Sequence, residues 1–320
     1  MPQLIRSMAG KGPENLDNLQ NSQVEIGNSL YNLSVEIQQY LKLHFRSKYD
    51  HSTSVMIVQE PHDSSEGQYN LFKGLESFFG SNPDLVKQTI FLSEGTPANK
   101  PISVQSLIHE EPHPTDDIIR QVLKSFMITG YMAYEWKHQQ GIPIIGTEDE
   151  GLYELSRRFA SLCRENPDAI FQHRKYEDGV EYDIPLNQAW GFAVAARNKR
   201  IAQTLIEQMA SYHNPMLFVA WDHLKDSRYN FEKKWDEIIK RNLIDAQYMG
   251  PVIGALQFPW GFAGKDWWLY KSVTKDCEMN DINYYLEQAK IGYTFLDPKG
   301  DVTLEDQARY NEVFKVQREK

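Results

Sequence analysis

Short apolar runs, each about the length of one strand, punctuate this chain at wide intervals. Ser54–Val55–Met56–Ile57–Val58, Thr89–Ile90–Phe91–Leu92, Gly141–Ile142–Pro143–Ile144–Ile145–Gly146 and Met216–Leu217–Phe218–Val219–Ala220–Trp221 are the clearest. A run that is apolar on successive residues has no polar face, so it suits a strand covered on both sides of a sheet. Helical spacing fills the gaps. Leu71, Phe72, Leu75, Phe78 and Phe79 mark a helix over 69–79, and Ile26, Leu30, Leu33, Ile37, Tyr40, Leu41 and Phe45 predict another from Val24 to Phe45. Thr115–Asp116–Asp117 reads as a helix start, with acid at the positive end of the dipole, and the period carries that helix to about His138. Residues 150–163 and 187–212 read as further helices, separated by a charged, irregular stretch around Arg174–Asp183. A helix near Phe231–Ala246 and late strands at Val252–Gln257 and Ile291–Phe295 complete the expectation.

Alternation of this kind predicts an α/β fold: a largely parallel or mixed central sheet, helices on both faces, and a helical, aromatic-rich cap. The expected organisation is a flexible segment over 1–22, an α/β core over 23–226, and a C-terminal cap or completion of the sheet over 227–320.

Charge and cysteine content narrow the function. Lys and Arg number 34 against 44 Asp and Glu, a net of −10, which argues against a nucleic-acid partner because phosphates need a basic surface. No apolar stretch approaches the roughly 18 residues of a membrane span, and the first residues lack the apolar core of a secretory signal. A cytoplasmic protein acting on a small molecule or peptide is the expectation. With only Cys163 and Cys277, a bound metal would be held by His and carboxylate, which favours a harder, manganese- or zinc-like ion.

The residues just beyond each run carry the chemistry. Strand one leads into Gln59–Glu60–Pro61–His62–Asp63, strand two into Ser93–Glu94–Gly95, strand three into Thr147–Glu148–Asp149–Glu150, and strand four ends at Trp221–Asp222–His223. In an open parallel sheet the strand C-termini share one edge, where ligands bind. Two carboxylates about 4 Å apart repel by roughly 4 kcal/mol at an effective dielectric near 20, so such a rim calls for a cation or a shared proton. Two candidates stand: a divalent metal on His62, His223 and one or two carboxylates, or Arg197, which falls within the apolar stripe Trp190, Val194, Ile201, Leu205 and needs a partner there.

These segments, together with Arg197-Asn198-x-x-Ile201-Ala202 and Phe218–Leu224, resemble the erythromycin esterase/ChaN/Tiki superfamily over about residues 52–226. The likeness lies in the order of a strand-terminal Glu-x-His, a second strand-terminal Glu, an Arg-Asn helix motif and a late strand ending in His. The resemblance implies Glu60, His62, Glu94 and His223 as the catalytic or metal-ligand set. It implies Arg197 as the residue that orients a carboxylate or the substrate, with Asp63, Glu148, Asp149, Trp221 and Asp222 around them. It also implies a hydrolase, metal-assisted or with the His–Glu pairs activating water directly, in which that water attacks an ester, lactone or amide carbonyl. Glu60 or Glu94 would take the proton and His223 or His62 would protonate the leaving group. The alternative is a non-catalytic haem- or small-ligand-binding protein on the same fold, with Tyr69, Tyr131, Tyr134 or Tyr153 on iron. The sequence departs from the pattern where Gln59 and Ala220 stand in place of glycine.

Other signals weigh less. His109-Glu110-Glu111-Pro112-His113 spells the zincin string, but Pro112 and Pro114 break the helix that string requires, leaving a loop near the site. Phe258–Trp268 concentrates aromatics among glycines, suiting a pocket wall or a core plug. No phosphate-binding loop, dinucleotide fingerprint or nucleophile elbow occurs.

Overall fold

The computed structural model describes residues 23–26, 29–32, 35–47, 54–125, 128–165, 170–175, 181–224, 280–301, 303–306 and 308. The helix expected at 231–246, the strand at 252–257 and the aromatic segment 258–268 lie outside these residues.

A six-stranded mixed sheet organises the described chain. In chain order its strands are β3 (Leu41–Arg46), β4 (Ser54–Gln59), β5 (Thr89–Pro97), β6 (Ile144–Glu148), β9 (Asn214–Val219) and β10 (Gly292–Pro298). Their spatial order is β3-β10-β4-β9-β5-β6, all neighbours parallel except β3, which runs antiparallel to β10. The α/β architecture is therefore as the alternation predicts. β4, β5 and β9 are buried on both faces because each lies inside the sheet. Val55, Met56, Ile57 and Val58 are all at most 1% exposed, which requires apolar side chains on successive positions.

Helices cover both faces. On one lie α2 (Ser65–Ser81), α4 (Asp116–Lys124) and α5 (Gly130–His138), where Leu71, Phe72, Leu75 and Phe78 pack against Met56, Val58, Phe91 and Phe218. On the other lie α7 (Leu186–Gln208) and α8 (Ile282–Gln288), where Ile201, Leu205, Ile282 and Leu286 pack against Val55, Ile57, Leu92 and Leu217. β4 connects to β5 past the later β9, so β9 is slotted between them. The C-terminal ends of β4, β9 and β5 therefore lie side by side, at the edge where parallel sheets bind ligands.

Five expectations are corrected. The predicted helix Val24–Phe45 is a hairpin, β1 (Gln23–Ile26) with β2 (Ser29–Asn32), then the short helix α1 (Val35–Tyr40) and β3. Leu41-Lys42-Leu43-His44-Phe45-Arg46 alternates apolar and polar, the period of a strand with one covered face. The single helix to His138 breaks in two. Thr115 caps α4 through Ile118 N–H (3.3 Å), while α5 restarts at Gly130, whose missing Cβ lets its backbone reach Gln68 on α2 (Gly130 N to Gln68 Oε1, 2.7 Å). The irregular stretch around Arg174–Asp183 contains a second hairpin, β7 (Ile170–Lys175) with β8 (Glu181–Pro185). β6 starts three residues later than the Gly141 predicted, because Gly141 turns at φ +74° and Pro143 comes before the strand. This register puts Glu148 inside the sheet and leaves Asp149 beyond it, at the start of α6 (Glu150–Glu165). α7 ends at Gln208, four residues short of the expected 212.

In the zincin-like string, α3 (Gln105–Glu110) stops before Glu111, and His109 bonds Gln105 (2.8 Å) at the surface. Glu111 offers its carbonyl to Trp136 of α5 (2.8 Å), and His113 is exposed. The two histidines therefore share no helical face.

Candidate functional site

Glu94 is the centre of the site. β5 delivers it to the rim, 9% exposed, and Gly95 turns away at φ +81°. One carboxylate oxygen accepts from His223 Nε2 (2.9 Å) and Arg197 Nη2 (2.9 Å). The other accepts from the backbone N–H of Ala220 (2.7 Å) and faces His62 Nε2 at 3.7 Å. Burial alone would push this carboxyl up. The charge and hydrogen bond of His223, with help from His62 and Arg197, instead hold it well below the usual carboxylate range.

Arg197 projects from α7, which is buried at five consecutive positions, Val194 to Asn198. A polar residue there needs a partner. The guanidinium donates to Glu148 from Nε (3.1 Å) and, at very short range, from Nη2, and to Ser156 Oγ from Nη1 (3.2 Å). Glu148 also accepts from Gly95 N–H (3.3 Å), and the Tyr153 ring lies 5.1 Å from the guanidinium. Burial disfavours the cation, but Glu148 and Glu94 more than reverse this and keep Arg197 charged.

Asn198, one position on, fixes His223. Its amide nitrogen donates to the Asn280 carbonyl (2.9 Å), so its oxygen faces His223 Nδ1 at 2.5 Å and accepts a hydrogen bond from it. With Nε2 directed at Glu94, His223 is held through both ring nitrogens and is buried.

His62 is different. It sits in the turn after β4, where Ser64 N–H closes onto the Pro61 carbonyl (3.2 Å), and its side chain is 41% exposed. Nδ1 lies 3.5 Å from Glu60, which is itself 3% exposed and tied to the sheet by its N–H on Val219 (2.8 Å). Partial desolvation works against a charged ring, but Glu60 first and Glu94 second raise its pKa well above the ordinary 6.5. Glu60 and Glu94 also push up the phenol of Tyr131, already raised by burial, whose hydroxyl meets Ser93 Oγ at 2.6 Å.

The structure thus gathers Glu60, His62, Glu94, Arg197 and His223 into one connected network, with Glu148 behind Arg197. Asp149 instead caps α6 through Leu152 N–H (3.0 Å) and belongs to that helix. Trp221 packs edge-on to His44 (4.9 Å) and against Phe295 (5.4 Å). Asp63 shares the turn with His62 and is exposed, and Asp222 sits beside His223 in the short 3-10 turn Trp221–His223. Ala220 serves through its backbone and Gln59 through its sheet pairing with Val219. Asn198, marked in the sequence only as part of the Arg-Asn motif and given no role there, and Ser156, not marked at all, join the network. Their signal is weak: polar residues on helix stretches that prove buried.

The metal-ligand set implied by resemblance does not fit a cation as these residues stand. His223 spends both nitrogens and Glu94 both oxygens within the network. Among the described residues, no group of three or more His, Cys, Asp or Glu is arranged to hold an ion. The positive charge the rim calls for is supplied by Arg197. The tyrosines do not fit haem iron either. Tyr131 is committed to Ser93, Tyr69 lies under Arg120 (3.7 Å), Tyr134 is in the core and Tyr153 faces Arg197.

Fold and site together define a class: an α/β protein with a buried carboxylate–arginine–histidine network under one exposed histidine at the strand C-termini. No protein-family model, curated protein or solved structure matches the chain. Among the described residues, no helix is long and apolar enough to cross a membrane.

Proposed function

We propose that this chain is a hydrolase in which His62 activates water against the carbonyl of a small ester, lactone or amide, in the cytoplasm. One observation carries the reading: an exposed imidazole flanked by two buried carboxylates, one of them immobilised by Arg197, His223 and a backbone N–H. Glu94 accepts three close donors and is held ionised, so it is a poor proton acceptor. The proton-transfer role falls to His62. In its neutral form the ring takes a proton from water as the water oxygen bonds to the carbonyl carbon. The resulting imidazolium, steadied by Glu60, returns that proton to the leaving oxygen or nitrogen as its bond to carbon breaks. A positioned general base of this kind contributes about 10²–10⁴-fold. The erythromycin esterase/ChaN/Tiki resemblance supports the same reaction class.

The test is hydrolysis of p-nitrophenyl acetate, a lactone panel and a peptide amide panel by wild type and His62→Ala. A loss of about 10²–10⁴-fold in His62→Ala is expected; equal rates overturn the proposal. Chelator treatment should leave the rate unchanged. Restoration by added manganese or zinc would replace this mechanism with a metal-assisted one. A stoichiometric Soret band on titration with haemin would replace hydrolysis with ligand binding.

A further inference from the structure

His62 is held by its turn more than by its side-chain contacts, because 3.5 and 3.7 Å are beyond the range of strong hydrogen bonds. The contacts that hold the turn therefore set where the imidazole sits. The Pro61–Ser64 turn runs directly into α2. Ser64 caps that helix (Gly67 N–H to Ser64 Oγ, 2.9 Å), and Gln68 reaches back to the Pro61 carbonyl (3.3 Å).

Against this first turn of α2 lies a segment more than two hundred residues away in sequence. Ser64 Oγ donates to the Asp301 carbonyl (3.2 Å), and Ser65 N–H donates to Asp306 Oδ1 (3.3 Å). Asp306 is 3% exposed, and its second oxygen accepts from both the N–H (3.1 Å) and the hydroxyl (2.8 Å) of Thr303, which in turn accepts the Asp306 N–H (3.1 Å). The carboxylate is thus locked in place before it meets the positive end of α2. Packing leaves no slack. A Cβ on Gly300 would lie 2.5 Å from Gly67 N, and one on Gly67 would lie 2.7 Å from Pro61 Cγ. Gly67 is held between the C-terminal segment on one side and the His62 turn on the other.

We infer that Asp306 is a positioning residue for His62: it clamps the start of α2 and so fixes the turn that presents the imidazole to substrate. This rests on the proposed role of His62, and the experiment separates the two. Asp306→Ala and Thr303→Val are compared with Asn70→Ala, which removes a contact between the same segments one helical turn further on (Asn70 Nδ2 to Lys299 O, 2.6 Å). Two readouts are taken on the full chain. One is kcat and KM for p-nitrophenyl acetate. The other is the rate at which diethylpyrocarbonate modifies His62, followed by mass spectrometry, which needs no activity.

Asp306→Ala should lower kcat by about 10- to 100-fold with little change in KM, and should raise His62 modification about three- to tenfold. Thr303→Val should move both in the same direction by less. Asn70→Ala should change thermal stability alone. If His62→Ala proves fully active, the hydrolase reading fails, and the modification rate still decides the clamp. The inference is overturned if Asp306→Ala remains folded with an unchanged modification rate, or if Asn70→Ala raises that rate as much. Should Asp306→Ala not fold, an unchanged rate in Thr303→Val overturns it equally.

Discussion

Replacing Arg197 with methionine tests the buried network most directly. The substitution keeps the apolar stem and removes every donor. Glu148, with a fully buried side chain, loses both its guanidinium hydrogen bonds and keeps Gly95 N–H at 3.3 Å, while Glu94 loses its guanidinium partner. A buried charge stranded in this way costs about 3–5 kcal/mol. That is a large share of the 5–15 kcal/mol typical of a folded domain. In urea the midpoint should fall by about 1–2 M. Arg200→Met is the control, since its pair with Glu207 (3.0 Å) is 31% and 47% exposed and should cost under about 1 kcal/mol. The double variant Arg197→Met/Glu148→Met should recover part of the loss, because it removes the stranded charge along with its partner. Acidity adds a signed check. Glu94, whose folded pKa is depressed by His223, His62 and Arg197, contributes stability above its unfolded pKa and loses it as pH falls through the folded value. The gap between wild type and Arg197→Met should therefore narrow below about pH 4. A loss under about 1 kcal/mol, or a double variant no more stable than the single, would refute the reasoning.

Three further outcomes are expected. Glu76, lowered from 4.5 to about 2 despite burial by His138, Lys137 and Lys73, stabilises the fold above pH 4.5 and loses that contribution as pH falls toward 2. The melting temperatures of wild type and Glu76→Gln should converge in acid, and a constant gap would contradict this. Ester hydrolysis should rise with pH on a limb whose midpoint lies above 6.5, because Glu60 and Glu94 favour the protonated His62 that must first lose its proton. In Glu60→Gln that limb should shift to lower pH, and an unmoved limb would remove Glu60 from the role given to it. Gly130→Ala should destabilise by about 1–3 kcal/mol in urea unfolding, since its Cβ would collide with the Gln68 carbonyl and the Leu71 side chain. A neutral change there would mean that α2 and α5 are not closely packed.

Much of the sheet was legible because central parallel strands are apolar on both faces, and β4, β5 and β9 announce themselves as runs. β3 was not. Its alternation spans only six residues, and Ile37 and Tyr40 ahead of it fall with Leu41 and Phe45 at helical intervals, so the longer period absorbed the shorter. In the site, the residue types at the strand ends were legible, and so was the need of Arg197 for a partner. The pairings were not. Whether Asp149 or Glu148 faces Arg197 depends on where the strand ends, and the sequence reading ends it at Gly146, two residues before Glu148. The hold on His223 depends on Asn198, whose orientation is set by a carbonyl eighty-two positions away.

The sheet order carries a consequence for synthesis. β10 is the strand that joins β3 to the rest of the sheet, sitting between it and β4. A growing chain therefore cannot close its sheet until residue 298 has left the ribosome. Until then β4, one of the most apolar strands in the protein, has one long side with no neighbour, and β3 has nothing to pair with. Such an open, apolar border is a template for pairing between chains, and long-range parallel pairing is slow to form. Expression yield should thus depend on holdase chaperones that bind the nascent chain, and truncation anywhere before Gly292 should give insoluble product.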